Sequence, residues 1–255
     1  MLGRAIKAIF RPFYEIAFSV YHRHFFLRSV ERAQLQRRTD AIDSKKQLLL
    51  PAMEYAHYSV QGDYLEFGVY RGSTFALAFN IAARWNKLRE MRFYAFDSFE
   101  GLPASRGVDV KGFLHEEFSE GALACSVDEF KTNIARQGVD LSRVEIVPGW
   151  YDDVLNEQTR SRLPLRKAAI VWIDCDLYES TVPALEFVTP YVQNGTLIAF
   201  DDWFCFHADP ERGEQRAFRE WLERHPEIRA VEFLTFGWHG NSFILRRGSQ
   251  SSDPK

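Results

Sequence analysis

Cysteine is scarce in this chain: Cys125, Cys175 and Cys205 are its only three, widely spaced and with no C-x-x-C metal pattern. That usage suits a reducing, cytoplasmic compartment. Cys175 and Cys205 each stand near an acidic strand end, whereas a reactive thiolate needs an electropositive setting, so both are expected to be small packing residues. No uncharged apolar run reaches the about 18 residues that would cross a bilayer. A basic excess is also missing. Lys and Arg number 32 against 35 Asp and Glu, a net charge of −3, and nucleic-acid binding is therefore not expected. A G-x-G-x-x-G segment, the pyrophosphate fingerprint, is absent as well. What remains is an ordinary globular composition, 46% apolar and 26% charged over 255 residues, enough for one α/β domain with an appendage.

The appendage is the start of the chain. Residues 1–38 carry eight basic side chains (Arg4, Lys7, Arg11, Arg23, Arg28, Arg32, Arg37 and Arg38) against Glu15 and Glu31, with aromatic and aliphatic residues recurring at helical spacing around Pro12. It lacks a small-residue cleavage site, so a signal peptide is not expected. Two readings stay open: a helix packed on the domain or on a second subunit, giving a homo-oligomer, and an interfacial helix making peripheral contact with anionic lipid. The division expected is a helical arm over 1–45, an α/β domain over 46–248 and a loose tail over 249–255.

Beyond the arm, helix and strand signals alternate. A helix from about Lys45 to Ser59 precedes a strand at 64–67. Helices near 74–85, 127–136, from Asp152 and over 182–191, the last with Pro183 in its first turn, separate strands at 92–96, 144–147, 168–173 and 196–200. A last helix at 214–223 and strands at 230–236 and 242–245 complete the pattern. It predicts a Rossmann-like α/β fold: a mostly parallel seven-stranded sheet with an antiparallel edge and helices on both faces.

Three of the buried strands end in acids: Asp97, Asp174 and the pair Asp201 and Asp202. Ligands of open α/β sheets bind along that edge. The first strand runs into Glu66-Phe67-Gly68-Val69-Tyr70-Arg71-Gly72-Ser73-Thr74, where glycines admit a ligand close to the backbone and Ser73 or Thr74 can cap the next helix. Glu66 would repel a phosphate and suits a cationic ligand, while Asp97 is placed to accept ribose hydroxyls. Together they describe a nucleoside with a positive centre, and S-adenosylmethionine fits. Asp174, Asp201 and Asp202 lie on neighbouring strands about 4.8 Å apart and can share one ion. Oxygen donors without a histidine or cysteine pattern select a hard cation, Mg2+, with Asp176 as a spare acid.

The segments YLEFGVYRGSTF, FYAFDSFEGLP, VEIVPGWYDDVL, WIDCDLYEST and IAFDDW, in this order, resemble the macrocin O-methyltransferase family of class I S-adenosylmethionine-dependent enzymes over about residues 50–247. The resemblance implies S-adenosylmethionine as donor, a divalent metal at the substrate hydroxyl, and a sugar or glycosylated natural product as acceptor. It also implies Glu66 and Gly68 on the methionine side, Asp97 at the ribose, and Gly149, Trp150, Tyr151 and Asp152 bordering the adenine, with Tyr70, Gly72, Ser73, Thr74 and Ser98 as further cofactor-binding candidates. Asp174 is expected at both the donor and the metal. Asp174 is expected to be catalytic, and the general base stays open between His115 and His207, because Leu177 and Tyr178 stand where catechol-type relatives have a lysine. Insertions at 103–125 and 203–212 are expected to form a lid whose Phe113, Phe118, Trp203, Phe204 and Phe206 face the acceptor. The alternatives weighed are a nucleoside-binding protein without chemistry and a peripheral membrane protein served mainly by its arm.

Overall fold

The computed structural model describes residues 41–104, 107–109 and 120–248. The basic arm before residue 41, the tail, His115, Phe113 and Phe118 lie outside them. The strands are β1 (Asp63–Phe67), β2 (Phe93–Asp97), β3 (Val144–Pro148), β4 (Ala168–Ile173), β5 (Leu197–Phe200), β6 (Ile228–Phe236) and β7 (Gly240–Arg247). They form one seven-stranded sheet in the order β3-β2-β1-β4-β5-β7-β6. The first five pair in parallel and β7 joins β5 and β6 antiparallel, as the strand pattern predicts. Strand order reverses between β1 and β4, and the crevice beyond their carboxyl ends is the expected ligand position.

Alternation along each strand divides the core in two. Tyr64, Ala95, Ile170, Trp172 and Ala199 face a layer built from helix α1 (41–59) and α2 (Ser73–Ala82) with α3 (Val127–Arg136). Leu65, Phe67, Phe96, Val171 and Phe200 face the other layer, which contains α6 (Tyr178–Val188) and α7 (Gly213–Arg224). Between β3 and β4, two short helices, α4 (Tyr151–Val154) and α5 (Glu157–Arg162), replace the single helix expected from Asp152. Asn156 caps the second by accepting from the Thr159 amide at 3.0 Å. The compact unit that holds the sheet begins at Ser44.

One helix starts earlier than its sequence predicts. Pro183 was read as a first-turn residue, yet α6 begins at Tyr178 and encloses it. The reason is distant in sequence: Asp109 is buried and its Oδ2 accepts from the Tyr178 amide at 2.6 Å, while its Oδ1 accepts from the Gly213 amide at 3.1 Å. One carboxylate thus caps α6 and α7 from outside both helices, where amides are otherwise unsatisfied and the dipoles favour negative charge. Asp109→Ala is expected to lose about 2 kcal/mol, the sum of two caps. The check is the urea midpoint, and a variant as stable as the wild type would refute the double cap.

Candidate active site

The glycine loop after β1 is organised by Asp97 at the end of β2. Asp97 Oδ2 accepts from the amides of Val69 at 2.8 Å and Tyr70 at 3.1 Å, and Oδ1 accepts from Phe99 at 2.7 Å. A carboxylate oxygen can accept about two hydrogen bonds, so Asp97 keeps capacity for a hydroxyl while it holds the loop. Gly68, at φ 88°, lies so close to β4 that a Cβ would overlap the Asp174 carbonyl oxygen. The glycine loop and the acidic strand end are therefore in direct backbone contact. Gly72, at φ 81°, packs on Phe130 and Ile134 and stands at the N-cap of α2, with no side-chain cap, so neither Ser73 nor Thr74 has the capping role expected of it. Ser98 Oγ donates to the Gly101 carbonyl at 2.9 Å and accepts from the Glu100 amide at 3.1 Å.

Glu66 is fully buried in the floor beneath this loop. Its Oε2 accepts from the Tyr64 hydroxyl at 2.5 Å, and its Oε1 has no hydrogen-bond partner among the described residues. Burial pushes its carboxyl well above the ordinary range, against the help of Tyr64, with Asp174 raising it further. A buried acceptor without a partner is costly and suits a donor from a ligand. After β3, Trp150 is half-buried and makes no ring pair among the described residues. Tyr151 is turned into the fold instead: its hydroxyl donates to the Phe96 carbonyl at 3.1 Å and its ring meets Phe67 edge-on. Gly149, at φ 134°, makes the turn and Asp152 is exposed.

Asp174, Asp201 and Asp202 come together as expected, with ligand oxygens within 4.8 Å of one another. Asp201 and Asp202 are more than nine-tenths buried, and among the described residues Asp201 Oδ1 and Asp202 Oδ2 lack hydrogen-bond partners, His239 Nδ1 standing 3.9 Å from the former. Burial and the neighbouring Asp201 raise the Asp174 carboxyl to about 6, against Lys45. Burial raises Asp176 to about 7 and Asp202 well above its usual range, the latter helped by Asp176 and Asp174. Glu214, buried on α7, accepts from the Asp202 amide at 2.9 Å and is raised by the same burial and the same acids. So much negative charge in one buried place asks for a cation or for protons.

The sequence reading missed the cation that is there. Lys45 Nζ lies 2.7 Å from Asp174 Oδ2 and 3.0 Å from Asp201 Oδ2, and 5.9 Å from the centre of the Trp172 ring. Burial alone would lower its pKa, but the two carboxylates more than reverse this and hold the ammonium well above the ordinary lysine value. The signal was available: Lys45 precedes Leu48, Leu49 and Ala52 by three, four and seven residues, placing it on the buried stripe of α1. His239, in the turn between β6 and β7, was also missed. Its Nδ1 donates to the Asp201 carbonyl at 2.6 Å, and its Nε2 meets Ser44 Oγ at 3.3 Å.

His207, by contrast, is exposed at φ 56° and has no hydrogen-bond partner among the described residues. The lid expectation also fails at Trp203 and Phe206. Trp203 packs against Phe200, Phe218 and Phe243, and Phe206 is buried beneath Gly213, because the apolar layer around α7 claims these rings. All three cysteines are free and buried. Burial raises the thiols of Cys175 and Cys205, the latter also through Asp202, which fits packing residues and not nucleophiles.

The tetracenomycin sugar 4'-O-methyltransferase of Streptomyces olivaceus, 8-demethyl-8-(2,3-dimethoxy-alpha-L-rhamnosyl)-tetracenomycin-C 4'-O-methyltransferase, is 34% identical over 148 residues, 56% of this chain and 54% of that protein. Mycinamicin III 3''-O-methyltransferase of Micromonospora griseorubida is 29% identical over 170 residues, 65% and 62% respectively. The chain thus spans little more than half the length of these relatives. The solved O-methyltransferase NovP superposes with a TM-score of 0.66 at 25% identity, covering 80% of each chain. The macrocin-O-methyltransferase (TylF) family matches residues 45–239, and the chain belongs to that family.

Proposed function

We propose that this protein transfers a methyl group from S-adenosylmethionine to a hydroxyl of a sugar or glycosylated natural product, with a divalent cation at the acceptor. One observation carries the reading: a glycine loop touches, through Gly68, the strand end that gathers Asp174, Asp201 and Asp202. Donor and acceptor chemistry are thereby adjacent. The 4'- and 3''-O-methyltransferase relatives, named for sugar-bearing acceptors, support the acceptor class.

The residues divide the work. The unpartnered Glu66 Oε1 is assigned to the cationic end of the donor, Asp97 to its ribose, and Trp150 to its adenine through stacking. Asp174, Asp201 and Asp202 fit a hard cation, since all three offer oxygen and two of those oxygens lack partners. Bound there, Mg2+ would supply positive charge that lowers the pKa of the acceptor hydroxyl. The methyl group moves from sulfonium to oxygen as the C–S bond breaks and the C–O bond forms; the hydroxyl proton leaves to a carboxylate or water. His207 is exposed, and Lys45, held protonated by Asp174 and Asp201, does not serve as proton acceptor. Much of the rate is assigned to holding sulfur, methyl and oxygen in line.

The test is calorimetric titration with S-adenosylhomocysteine, followed by methyl transfer to glycosylated acceptors with and without magnesium. Micromolar nucleoside binding and metal-dependent turnover are the expected results. No nucleoside binding would remove the reading, and turnover indifferent to chelation would remove its metal.

A further inference from the structure

Lys45 transfers no proton in the chemistry above, yet it is paired with two acids of the cluster. Its ammonium takes one oxygen each from Asp174 and Asp201, two of the three carboxylates a divalent cation would use. Among the described residues, Asp201 Oδ1 and Asp202 Oδ2 are buried without a hydrogen-bond partner, with His239 Nδ1 3.9 Å from the former and Asp176 beside Asp202. The site therefore holds one positive charge already and still has acceptors to spare. Helix α1 carries the lysine on the stripe that anchors it, next to the buried Leu48, Leu49 and Ala52, and its Nζ stands over the buried Trp172. A lysine so placed is fixed by the fold and not a passing surface contact.

We propose that Lys45 is a resident cation of the acceptor site, which keeps Asp174 and Asp201 together in the metal-free protein and competes with a divalent cation for their oxygens. The inference rests on the cation site proposed above. Its physical basis is that a unit charge about 4 Å from a divalent ion in a partly buried site is repelled strongly enough to change affinity by at least a decade. Entry of the metal then withdraws the ammonium from at least one carboxylate, so metal occupancy and the Lys45 side chain are linked. Lys45 is a positioning residue by this account and touches no reacting atom.

The experiment uses Mn2+ as probe, titrated into the full-length protein and followed by the electron paramagnetic resonance of the free ion. Lys45→Met keeps an apolar stem against Trp172, Lys45→Gln keeps polarity, and Lys45→Arg keeps the charge. The neutral variants are expected to bind Mn2+ at least tenfold more tightly than the wild type, with Lys45→Arg within about threefold of it. Unchanged or weaker binding in both neutral variants overturns the inference. So does an absence of Mn2+ binding in every variant, which would also remove the metal from the proposed function. Titration of the same samples with S-adenosylhomocysteine reports on the donor site separately. Should the neutral variants not fold, the wild type answers alone: acylation of Lys45, read by mass spectrometry, is expected to accelerate at least threefold with saturating Mn2+, and an unchanged rate overturns the competition.

Discussion

Asp201→Asn is expected to lower the rate of methyl transfer about a thousandfold while leaving S-adenosylhomocysteine affinity within about threefold. The thousandfold corresponds to about 4 kcal/mol of transition-state stabilisation, the scale of a metal's effect on a developing oxyanion. Asparagine keeps the shape and removes the charge. It costs the cation site one of three carboxylates and leaves Lys45 its 2.7 Å pair with Asp174. The contacts proposed for the donor, through Glu66, the glycine loop and Asp97, are left in place. Stability at neutral pH should not fall, because the variant removes one acid from a place already overloaded with them. Single-turnover kinetics at saturating donor, beside calorimetry, measure both quantities. A variant that keeps more than a tenth of wild-type turnover would sink the role given to this carboxylate.

The acids at the strand ends were legible because each terminates an uninterrupted apolar run, and a buried strand must end somewhere near the sheet edge. β4, predicted over 168–173, is Ala168–Ile173 for that reason: its residues are all buried, and Asp174 ends the run. The start of α6 was not legible. Local signals put Pro183 in a first turn, but the acceptor that lets the helix begin at Tyr178 is Asp109, in another loop. Lys45 shows a subtler failure. Its position on the apolar stripe of α1 was visible, but the acids that make such a lysine tolerable lie on β4 and β5, far along the chain. His239 reaches Asp201 only through the β6–β7 turn, and no spacing in the sequence announces that contact. The rings of Trp203 and Phe206 erred in the other direction: aromatic residues in a presumed lid were needed by the core under α7. Charge partners and aromatic packing across the fold are long-range facts, while strand ends are local ones.

Glu66→Gln separates the cost of the donor site from its use. In the unfolded chain Glu66 ionises near its ordinary value of 4.5, whereas in the fold burial and the nearby Asp174 hold its pKa well above that. Between the two values the unfolded chain has released a proton that the native protein retains. Stability contributed by this group is therefore complete below pH 4.5, declines as pH rises through the folded pKa, and is level at its reduced value beyond. Glutamine removes the dependence and can still accept from the Tyr64 hydroxyl. The variant should match the wild type in stability near pH 4 and exceed it near pH 8, with the gap widening in between. The other raised acids of the site tilt both proteins the same way, so only the difference reports on Glu66. Binding is expected to move oppositely. Loss of a charge-assisted contact of about 2–3 kcal/mol at the Oε1 position weakens the donor about thirty- to a hundredfold. Denaturation midpoints across pH, paired with calorimetric S-adenosylhomocysteine affinities, test both halves. A variant less stable than wild type at pH 8 would show that Glu66 is a structural anchor, and one that binds the nucleoside normally would release Glu66 from the donor site.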